Sequence, residues 1–452
     1  MLFFATPASA QQAGFRACKR CAPDATPGSP EWNRRDDLVA RAIRSIDDGI
    51  VDREGVEGLA TQLAVSSRHL TRVLNDEIGA GPLALARARR ARAARILIET
   101  TTVPFSDIAF AAGFDSIRQF NDTIREVFAA NPTELRGGRP NAGEAGEWID
   151  LRLPRRDPFH AAHLFTWFRL HAVAGIEQVE NDDPSRPVYR RSMRLPGGPA
   201  VVELRPALGH VAARFRLSDL TDLQQAIQRC RRLLDLDADP HVIEEVLELD
   251  PQMKPLVVRR QGLRCPGEVD GIDAAVRAVL HQQVSLASAR AMCSRLVAEH
   301  GTPLETPVGE VSRVFPSAEA WASIDPDQLG LPASRARALT SLARAIVDGS
   351  VDLRPSADRS QAIEQMVKVK GIGPWTASVT SLKALADPDA FGANDLILRR
   401  IAADRGLPSA ASDLERHAER WRPWRAYAMH HLWAEYLART EPIIDEGLDS
   451  DD

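Results

Sequence analysis

The chain has 452 residues, 44% of them hydrophobic and 26% charged, and a net charge of −5 at pH 7. This length predicts about three domains, and the composition is typical of a globular protein and excludes a fibrous or largely disordered one. The sequence has no apolar run of the ~20 residues that cross a bilayer, so we expect no membrane partner.

The negative charge is concentrated at the end of the chain. Six acidic residues fall within 441–452, and without them the remaining chain carries a net charge of +1. We expect this acidic tail to be solvated, and the local clusters of arginine earlier in the chain are compatible with binding to nucleic acid. The five cysteines are scattered, which is typical of a reducing compartment and predicts a cytoplasmic protein.

The front of the chain carries half of a zinc site. Cys18 and Cys21 form a CxxC pair, whereas a closed structural zinc site needs four ligands; two free thiols are the alternative. The segment from Phe3 to Cys21 resembles the end of the zinc-binding, methyl-accepting domain of Ada-type regulators. The resemblance implies that residues 1–30 are a remnant of that domain and a linker, and that zinc binds only if an upstream extension supplies two more cysteines. Stoichiometric zinc in the purified protein would contradict this expectation.

Two pairs of helices with a basic helix between them follow the linker. Ser66 is the expected N-cap of the second helix in the first pair. A single helix–turn–helix pair is a generic pattern, but two copies joined by an arginine-rich helix are more specific. The predicted helices cover 56–63, 67–78, 82–100, 105–112 and 116–128.

The second copy carries a family resemblance. Residues Ile108–Phe114 and Phe128–Arg136 are similar to the AraC-type regulator domain, which we expect over 31–137. The resemblance implies that the second helix of each pair enters a major groove, with the two helices about one turn of DNA apart. Ordinary exposed helix faces are the alternative. The residues implied in contact with DNA are Arg68, His69, Arg72, Ser116, Arg118, Gln119 and Asn121.

An α+β segment is predicted over 147–262. Antiparallel strands with helices on one face would form its layers. The residues at Pro158-Phe159 and from His171 to Glu177 resemble the N-terminal domain of the AlkA-type 3-methyladenine DNA glycosylases. The resemblance implies that Trp167 reaches a base pocket, with a packed core position as the alternative. The predicted strands cover 148–153, 188–195, 200–205 and 210–217, and the predicted helices cover 159–175 and 220–236.

A helical domain is predicted over 263–440, and its central feature is a helix–hairpin–helix turn. Glycines in the turn let the backbone approach a phosphate closely, and Pro374 suits the first turn of the next helix, whose N-terminus attracts an anion. Such a turn grips DNA without reading its sequence; a plain turn between helices is the alternative. The predicted phosphate-binding residues are Lys370, Gly371, Ile372 and Gly373.

A lone carboxylate, Asp395, lies about twenty residues after the hairpin. The interval is similar to that of the helix–hairpin–helix glycosylase superfamily, and Asp395 is the predicted catalytic residue. A carboxylate near C1′ stabilises the oxocarbenium character of the departing sugar and helps to position or deprotonate water. A cap of the predicted helix 396–404 is the alternative, although Asn394 is the expected cap. One carboxylate suffices where sugar hydrolases use two, because an alkylated purine is already a good leaving group.

The identity of Trp375 predicts the type of glycosylase. In relatives that also cleave the strand, the matching residue is a lysine that forms a Schiff base, and tryptophan cannot act in that way. We therefore expect a monofunctional enzyme without lyase activity.

The segment from His417 to Trp433 closely resembles an AlkA-type signature. It implies that Trp375 and Trp433 are walls of a pocket for a flipped, electron-poor base, with core packing as the alternative. Core packing is the preferred interpretation for Trp421 and Trp424.

Two positions depart from the family pattern. The family inserts an apolar wedge into the duplex, and at that position this chain has Gln283 beside Gln282. The family also has an aromatic residue at one position lining the pocket, and this chain has Val379 there. The departures leave the efficiency of base flipping and the base preference open.

The fold expected from these segments is mainly α with one α+β domain: a double helix–turn–helix, a small antiparallel-sheet domain and an all-helical helix–hairpin–helix glycosylase domain. The expected function is excision of alkylated purines by a DNA-3-methyladenine glycosylase II, fused to a sequence-specific regulator. A transcriptional activator whose glycosylase-like half only binds or senses DNA is the alternative.

The expected partner is double-stranded DNA, either at alkylated sites or at a promoter, and RNA polymerase is a further candidate partner. The protein is expected to be a monomer associated with the nucleoid. Catalysis is expected to need no cofactor, and a monovalent cation at the hairpin is a further candidate.

Overall fold

The computed structural model describes residues 4, 6–15, 38–137, 148–180 and 186–440. Cys18, Cys21, the expected linker and the acidic tail lie outside the described residues. The described chain forms two compact units. The first unit draws on Met1–Pro154, Arg194–Val202 and His210–Gln228, and the second on Arg155–Met193, Glu203–Gly209 and Arg229–Asp452.

The helices of the first unit begin where the sequence offers caps. The Ser66 and Ser116 side chains accept hydrogen bonds from the backbone N–H groups of His69 and Gln119, both at 3.2 Å, and so fix the starts of two helices. A kink at Gly55 with φ +72° divides another helix. The helices are α1 (Pro7–Gln12), α2 (Leu38–Asp47), α3 (Ile50–Gln62), α4 (Ser67–Ile78), α5 (Pro82–Thr100), α6 (Phe105–Ala111), α7 (Ile117–Phe128) and α8 (Pro132–Arg136).

The arginines of α5 form ion pairs within the first unit. Arg89 pairs with Asp52 at 2.7 Å, and Arg90 approaches the same carboxylate at 3.7 Å. Arg87 makes two hydrogen bonds to Glu126 of α7. Burial raises the pKa of Asp52, and the two arginines oppose that shift. The basic helix therefore ties the flanking helices α3 and α7 to itself.

A five-stranded sheet follows, with the strand order β1-β5-β4-β3-β2. Along β1 buried and exposed side chains alternate, as expected for a strand with one face on the core. The short polar strand β2 has no apolar alternation, and for that reason the sequence did not indicate it. The strands are β1 (Ile149–Pro154), β2 (Glu177–Glu180), β3 (Val188–Leu195), β4 (Gly198–Ala207) and β5 (His210–Leu217).

The rest of the described chain is mostly helical, with 3-10 turns at Leu220–Asp222, Pro326–Leu329 and Glu419–Trp421. The helices are α9 (Ala161–His171), α10 (Leu223–Leu233), α11 (Pro240–Leu247), α12 (Lys254–Arg259), α13 (Gly271–Leu280), α14 (Leu286–His300), α15 (Ala318–Ser323), α16 (Ala333–Val347), α17 (Arg359–Lys368), α18 (Pro374–Leu385), α19 (Leu396–Asp404), α20 (Ala411–Ala418) and α21 (Arg425–Thr440).

The expected fold class is confirmed, with one addition. A two-stranded antiparallel hairpin, β6 (Thr302–Val308) and β7 (Val311–Val314), lies in the segment that was expected to be all-helical. Gly309, with φ +58°, makes the turn between its strands, and both strands are too short and irregular to show a clear period in the sequence.

The second unit contains two hydrophobic clusters. One includes Leu280, Leu339 and Met366, and the other is centred on α21 and includes Leu398 and Trp421. Both Trp421 and Trp424 are buried, which confirms their interpretation as core residues.

A buried network of charged groups links β2 and β3 to α13. The guanidinium of Arg191 binds Glu177 at 2.9 Å and Glu268 at 2.6 Å, and it also pairs with Asp273. Arg277 binds Glu177 at 2.8 Å. Burial raises the pKa of Asp273 to about 6, an effect that Arg277 opposes. Each charge here is acceptable only because its partners remain, since an unpaired buried charge is costly.

We expect Arg191→Met to lower the free energy of unfolding by about 3–5 kcal/mol, because it leaves Arg277 as the remaining cation for the buried carboxylates of Glu177, Glu268 and Asp273. A raised carboxyl pKa favours the folded state below the ordinary pKa, and this contribution is lost as the pH rises through about 6. Removal of Arg191 raises the pKa of Asp273 further, so the loss should be larger at pH 8 than at pH 5. Urea denaturation of the wild type and the variant at pH 5 and at pH 8 measures the loss of unfolding free energy.

Arg214→Met is the matched control. Arg214 also lies on a strand, but it pairs with the exposed Asp150 at 2.9 Å, and such pairs contribute about 1 kcal/mol or less. Equal losses from the two variants, or a loss for Arg191→Met that does not depend on pH, would contradict the role given to the network.

Candidate active site and nucleic-acid interface

The hairpin between α17 and α18 has the glycine conformation that the sequence predicted at Gly371 but not at Gly373, whose extended backbone with φ −92° and ψ 172° is open to any residue. Gly371 has φ +94°, and a Cβ there would lie 2.6 Å from the Cβ of Ala338, so both conformation and space require glycine. The side chain of Ile372 is buried. Lys368 and Lys370 are both exposed and both precede Gly371.

The two glutamines at the expected wedge position have different surroundings. The Gln282 side-chain amide donates to the Gly371 carbonyl oxygen at 3.1 Å and to Thr376 Oγ1 at 2.9 Å, so it holds the hairpin. Gln283 is exposed, with a left-handed backbone at φ +54°. Of the two side chains, that of Gln283 is therefore the one that projects into solvent.

Asp395 joins α18 to the start of α19. Its Oδ1 accepts from the backbone N–H of Leu398 at 2.7 Å, and its Oδ2 accepts from Trp375 Nε1 at 2.9 Å. Asp395 is thus the N-cap of α19, and the expectation that Asn394 is the cap is wrong. The local reason is that Asp395 has the extended backbone of an N-cap residue, with φ −63° and ψ 124°.

The carboxylate of Asp395 is partly exposed and keeps accepting capacity beyond these two bonds, because an ionised carboxyl has about four lone-pair sites. Leu396, next to it, is 77% exposed. The arrangement fixes one negative charge at an open surface, with its orientation set by two donors. Such a charge can stabilise positive charge that develops on a bound sugar.

Trp375 lies between this carboxylate and α21. A Cβ on Gly392 would lie 3.1 Å from Trp375 Cδ1 and 3.9 Å from Met429 Sδ, so the glycine leaves room for the indole. Met429 is one helical turn before Trp433, and residues four apart share a helix face. Val379, one turn after Trp375, is half-buried.

Trp167 belongs to an aromatic cluster on α9 and α21. Its ring stacks on His171 with centroids 3.9 Å apart and faces Trp433 at 6.1 Å. His430 lies 4.9 Å from Trp167 and 5.1 Å from Trp433. Burial lowers the pKa of both histidines well below the ordinary value, so their rings are neutral. The structure thus brings together Trp167 and Trp433, which the sequence had named separately.

Lys383 is a residue of this cluster that sequence reasoning missed. Its Nζ lies 4.6 Å from the Trp167 ring centroid and donates to the Pro266 carbonyl oxygen at 2.5 Å. Burial lowers the pKa of Lys383 to about 8, although Glu268 opposes this. The available signal was one lysine within the otherwise uncharged helix α18.

The expected contacts of the regulator segment lie mainly on exposed faces of α4 and α7. Arg68, His69 and Arg72 are exposed, and the Arg118 side chain is 94% exposed. The other three have local roles as well, because Ser116 is the N-cap of α7, Gln119 Oε1 accepts from the Asp115 N–H at 3.1 Å, and Asn121 is half-buried. Ile117 is 44% exposed at the start of α7 and was not among the predicted contacts.

Within the described ranges, no cluster of three or more His, Cys, Asp or Glu side chains is arranged to hold a metal ion. In the same ranges, no helix is both long and apolar enough to cross a membrane.

We expect Gln282→Ala to weaken binding to undamaged duplex DNA roughly tenfold, because two hydrogen bonds that hold the hairpin are lost, each contributing about 0.5–1.5 kcal/mol. Gln328→Ala, the control, removes an exposed glutamine of the 3-10 turn Pro326–Leu329 and should leave this affinity unchanged. Fluorescence anisotropy with labelled duplex compares the two variants. Equal affinities of Gln282→Ala and Gln328→Ala would contradict the role given to Gln282.

Comparison with known proteins adds to this geometry. Four family models match the chain: the metal binding domain of Ada, a helix-turn-helix domain, the AlkA N-terminal domain and the HhH-GPD superfamily of base excision DNA repair proteins. The matched residues are 1–24, 59–138, 150–270 and 276–426, respectively.

Two relatives and one solved structure extend the comparison. The chain is 49% identical to a probable bifunctional transcriptional activator/DNA repair enzyme AlkA of Mycobacterium tuberculosis, over 95% of this chain and 87% of that protein. It is 29% identical to DNA-3-methyladenine glycosylase 2 of Escherichia coli, over 61% of this chain and 94% of that protein. A 3-methyladenine DNA-glycosylase from Archaeoglobus fulgidus shares the fold, with a TM-score of 0.55 at 20% identity over 65% of this chain and 99% of that one.

Proposed function

The chain belongs to the family of bifunctional AlkA-type transcriptional activator/DNA repair enzymes, and we propose that Asp395 is the residue through which it excises alkylated bases. It is a DNA-3-methyladenine glycosylase of the HhH-GPD type fused to an AraC-type regulator segment. The observation that carries the proposal is the carboxylate of Asp395, which Trp375 Nε1 and the Leu398 N–H orient at a partly exposed surface.

In the proposed mechanism, the hairpin residues from Lys370 to Gly373 hold a phosphate of the damaged strand. The target nucleotide leaves the duplex, and the exposed side chain of Gln283 fills the gap. Flipping costs a few kcal/mol of unstacking, which contacts with the base and backbone must offset. The polar character of Gln283 makes this step less favourable than an apolar wedge would.

The flipped base is proposed to enter between Trp375 on α18 and Trp433 on α21, with Trp167 behind them. Electron-rich rings stack well on an electron-poor alkylated purine. As the glycosidic bond breaks, positive charge develops on the sugar, and the carboxylate of Asp395 stabilises it. The same carboxylate orients the water that attacks C1′.

We propose a monofunctional mechanism for the same site. The residue that donates to Asp395 is a tryptophan, whose indole N–H is a hydrogen-bond donor only. A Schiff base needs an amine at that place. The backbone carbonyl oxygens of the hairpin are suitable ligands for a monovalent cation, although the Gly371 oxygen already accepts a hydrogen bond from Gln282.

For the regulator segment we propose binding to promoter DNA through the exposed residues of α4 and α7, with RNA polymerase as the partner in activation. We also propose that the protein is a monomer and that it is located in the cytoplasm with the nucleoid. Arg68, Arg72 and Arg118 are exposed, whereas the arginines of α5 are engaged in ion pairs.

Base release from alkylated DNA tests the role of Asp395. We expect Asp395→Asn to slow single-turnover release by at least about a hundredfold, within the range for a positioned acid or base. Asparagine caps a helix as well as aspartate does, so α19 should stay intact. The control is Asp404→Asn, which changes an exposed carboxylate at the other end of α19.

Equal rates from wild type and Asp395→Asn would refute the catalytic role. No release by the wild type, together with promoter binding that survives deletion of everything after Arg136, would favour the alternative of a regulator with an inactive glycosylase-like half.

Treatment with borohydride during turnover tests the monofunctional mechanism. We expect no covalent protein–DNA complex, because borohydride traps only a Schiff base and Trp375 cannot form one. Denaturing gels with an end-labelled alkylated duplex measure the complex, and a lyase-active glycosylase serves as the positive control. A trapped band from this protein would overturn the proposal.

A further inference from the structure

The Trp167 wall of the proposed pocket already holds a cation. Lys383 Nζ lies 4.6 Å from the Trp167 ring centroid, within the distance at which an ammonium is attracted to an aromatic face. Its hydrogen bond to the Pro266 carbonyl oxygen at 2.5 Å fixes this position. The side chain is half-buried.

A second observation concerns His430 in the same cluster. Its side chain is fully buried, and neither ring nitrogen has a hydrogen-bond partner. His430 lies against both Trp167 and Trp433. Buried polar atoms normally have partners, so this ring leaves unused hydrogen-bonding capacity beside the two tryptophans.

We infer that Lys383 is a specificity-determining residue of the base pocket, whose ammonium opposes the entry of a positively charged base. The inference rests on the proposed function. An alkylated purine such as 3-methyladenine carries a positive charge within DNA, and it would enter a pocket whose rear wall, Trp167, already holds an ammonium. At a separation of about 10 Å, two like charges in a protein interior disfavour each other by roughly tenfold in binding.

The groups around Lys383 decide when this opposition operates. Glu268, Asp235 and Cys265 favour its charged form, and Arg277 disfavours it. Burial keeps four nearby histidines neutral, since it lowers the pKa of each; they are His163, His171, His281 and His430.

Lys383 is therefore the cation of this cluster that can lose its proton near neutral pH, at a pKa of about 8. A cationic base enters more easily once that proton is lost.

The experiment is single-turnover release of 3-methyladenine from duplex DNA between about pH 6.5 and about pH 8.5, a range that spans the titration of Lys383. We expect the wild-type rate to rise roughly fivefold over this range. Lys383→Met should be faster at the low end and independent of pH, because no charge remains. Lys383→Arg, which keeps the charge throughout, should be slow and equally independent of pH.

Two controls separate this effect from others. Lys254→Met removes a surface lysine that pairs with Glu248 and should keep the wild-type profile. Binding of each variant to a duplex with a tetrahydrofuran abasic analogue has no base in the pocket and should not depend on Lys383. Circular dichroism checks that the variants fold, and if Lys383→Met does not fold, the Lys383→Arg profile still decides.

The outcomes are distinct. No base release by the wild type at any pH would refute the proposed function itself. Release with a wild-type pH profile that persists in Lys383→Met or Lys383→Arg would refute only the role of Lys383. Loss of the pH dependence in both variants, with Lys383→Met faster than the wild type near pH 6.5 and Lys383→Arg slower than the wild type near pH 8.5, would support it.

Discussion

The candidate site depends on one shared carboxylate. Asp395 accepts one hydrogen bond from its own helix, at the Leu398 N–H, and one from Trp375 in the helix that follows the hairpin. The proposed catalytic oxygen is thereby fixed relative to Trp375, which lies two residues after Gly373 of the hairpin. Gln282 adds to these hydrogen bonds, because its side-chain amide donates both to the Gly371 carbonyl oxygen and to Thr376 Oγ1. A change at any one of these groups would move the others.

Charge is handled differently in the three parts of the chain. In the regulator segment, the arginines of α5 pair with Asp52 and Glu126, whereas those of α4 and α7 are exposed. Between sheet and α13, Arg191 and Arg277 are buried with three carboxylates. Near Trp167, by contrast, the half-buried Lys383 lies among neutral histidines. The first two arrangements stabilise the fold, whereas the third holds the charge that we propose opposes a cationic base.

Much of the fold could be predicted because its signals are local. Ser66 and Ser116 cap the helices that they precede, and the helix over 82–100 was predicted with its observed bounds. The polar strand β2 and the hairpin β6–β7 escaped because neither has a clear two-residue period. Of the candidate site, the left-handed Gly371 was predictable from the turn motif, and Asp395 was predicted from the resemblance to the helix–hairpin–helix glycosylase superfamily. Lys383 and His430 were not, since a lone lysine or histidine in a helix reads as an ordinary surface or core residue.

The sequence by itself determined the order of the segments, the glycine turn and the carboxylate that follows it. These depend on backbone conformation and on capping, which act over a few residues. Only the tertiary structure decided that Asp395 rather than Asn394 caps α19, that Trp375 is its partner, and that Gln282 holds the hairpin while Gln283 is exposed. It also decided that Lys383 lies against Trp167. The reason is that hydrogen bonds and ring contacts between residues 20 or more positions apart depend on how helices pack, which no local pattern encodes.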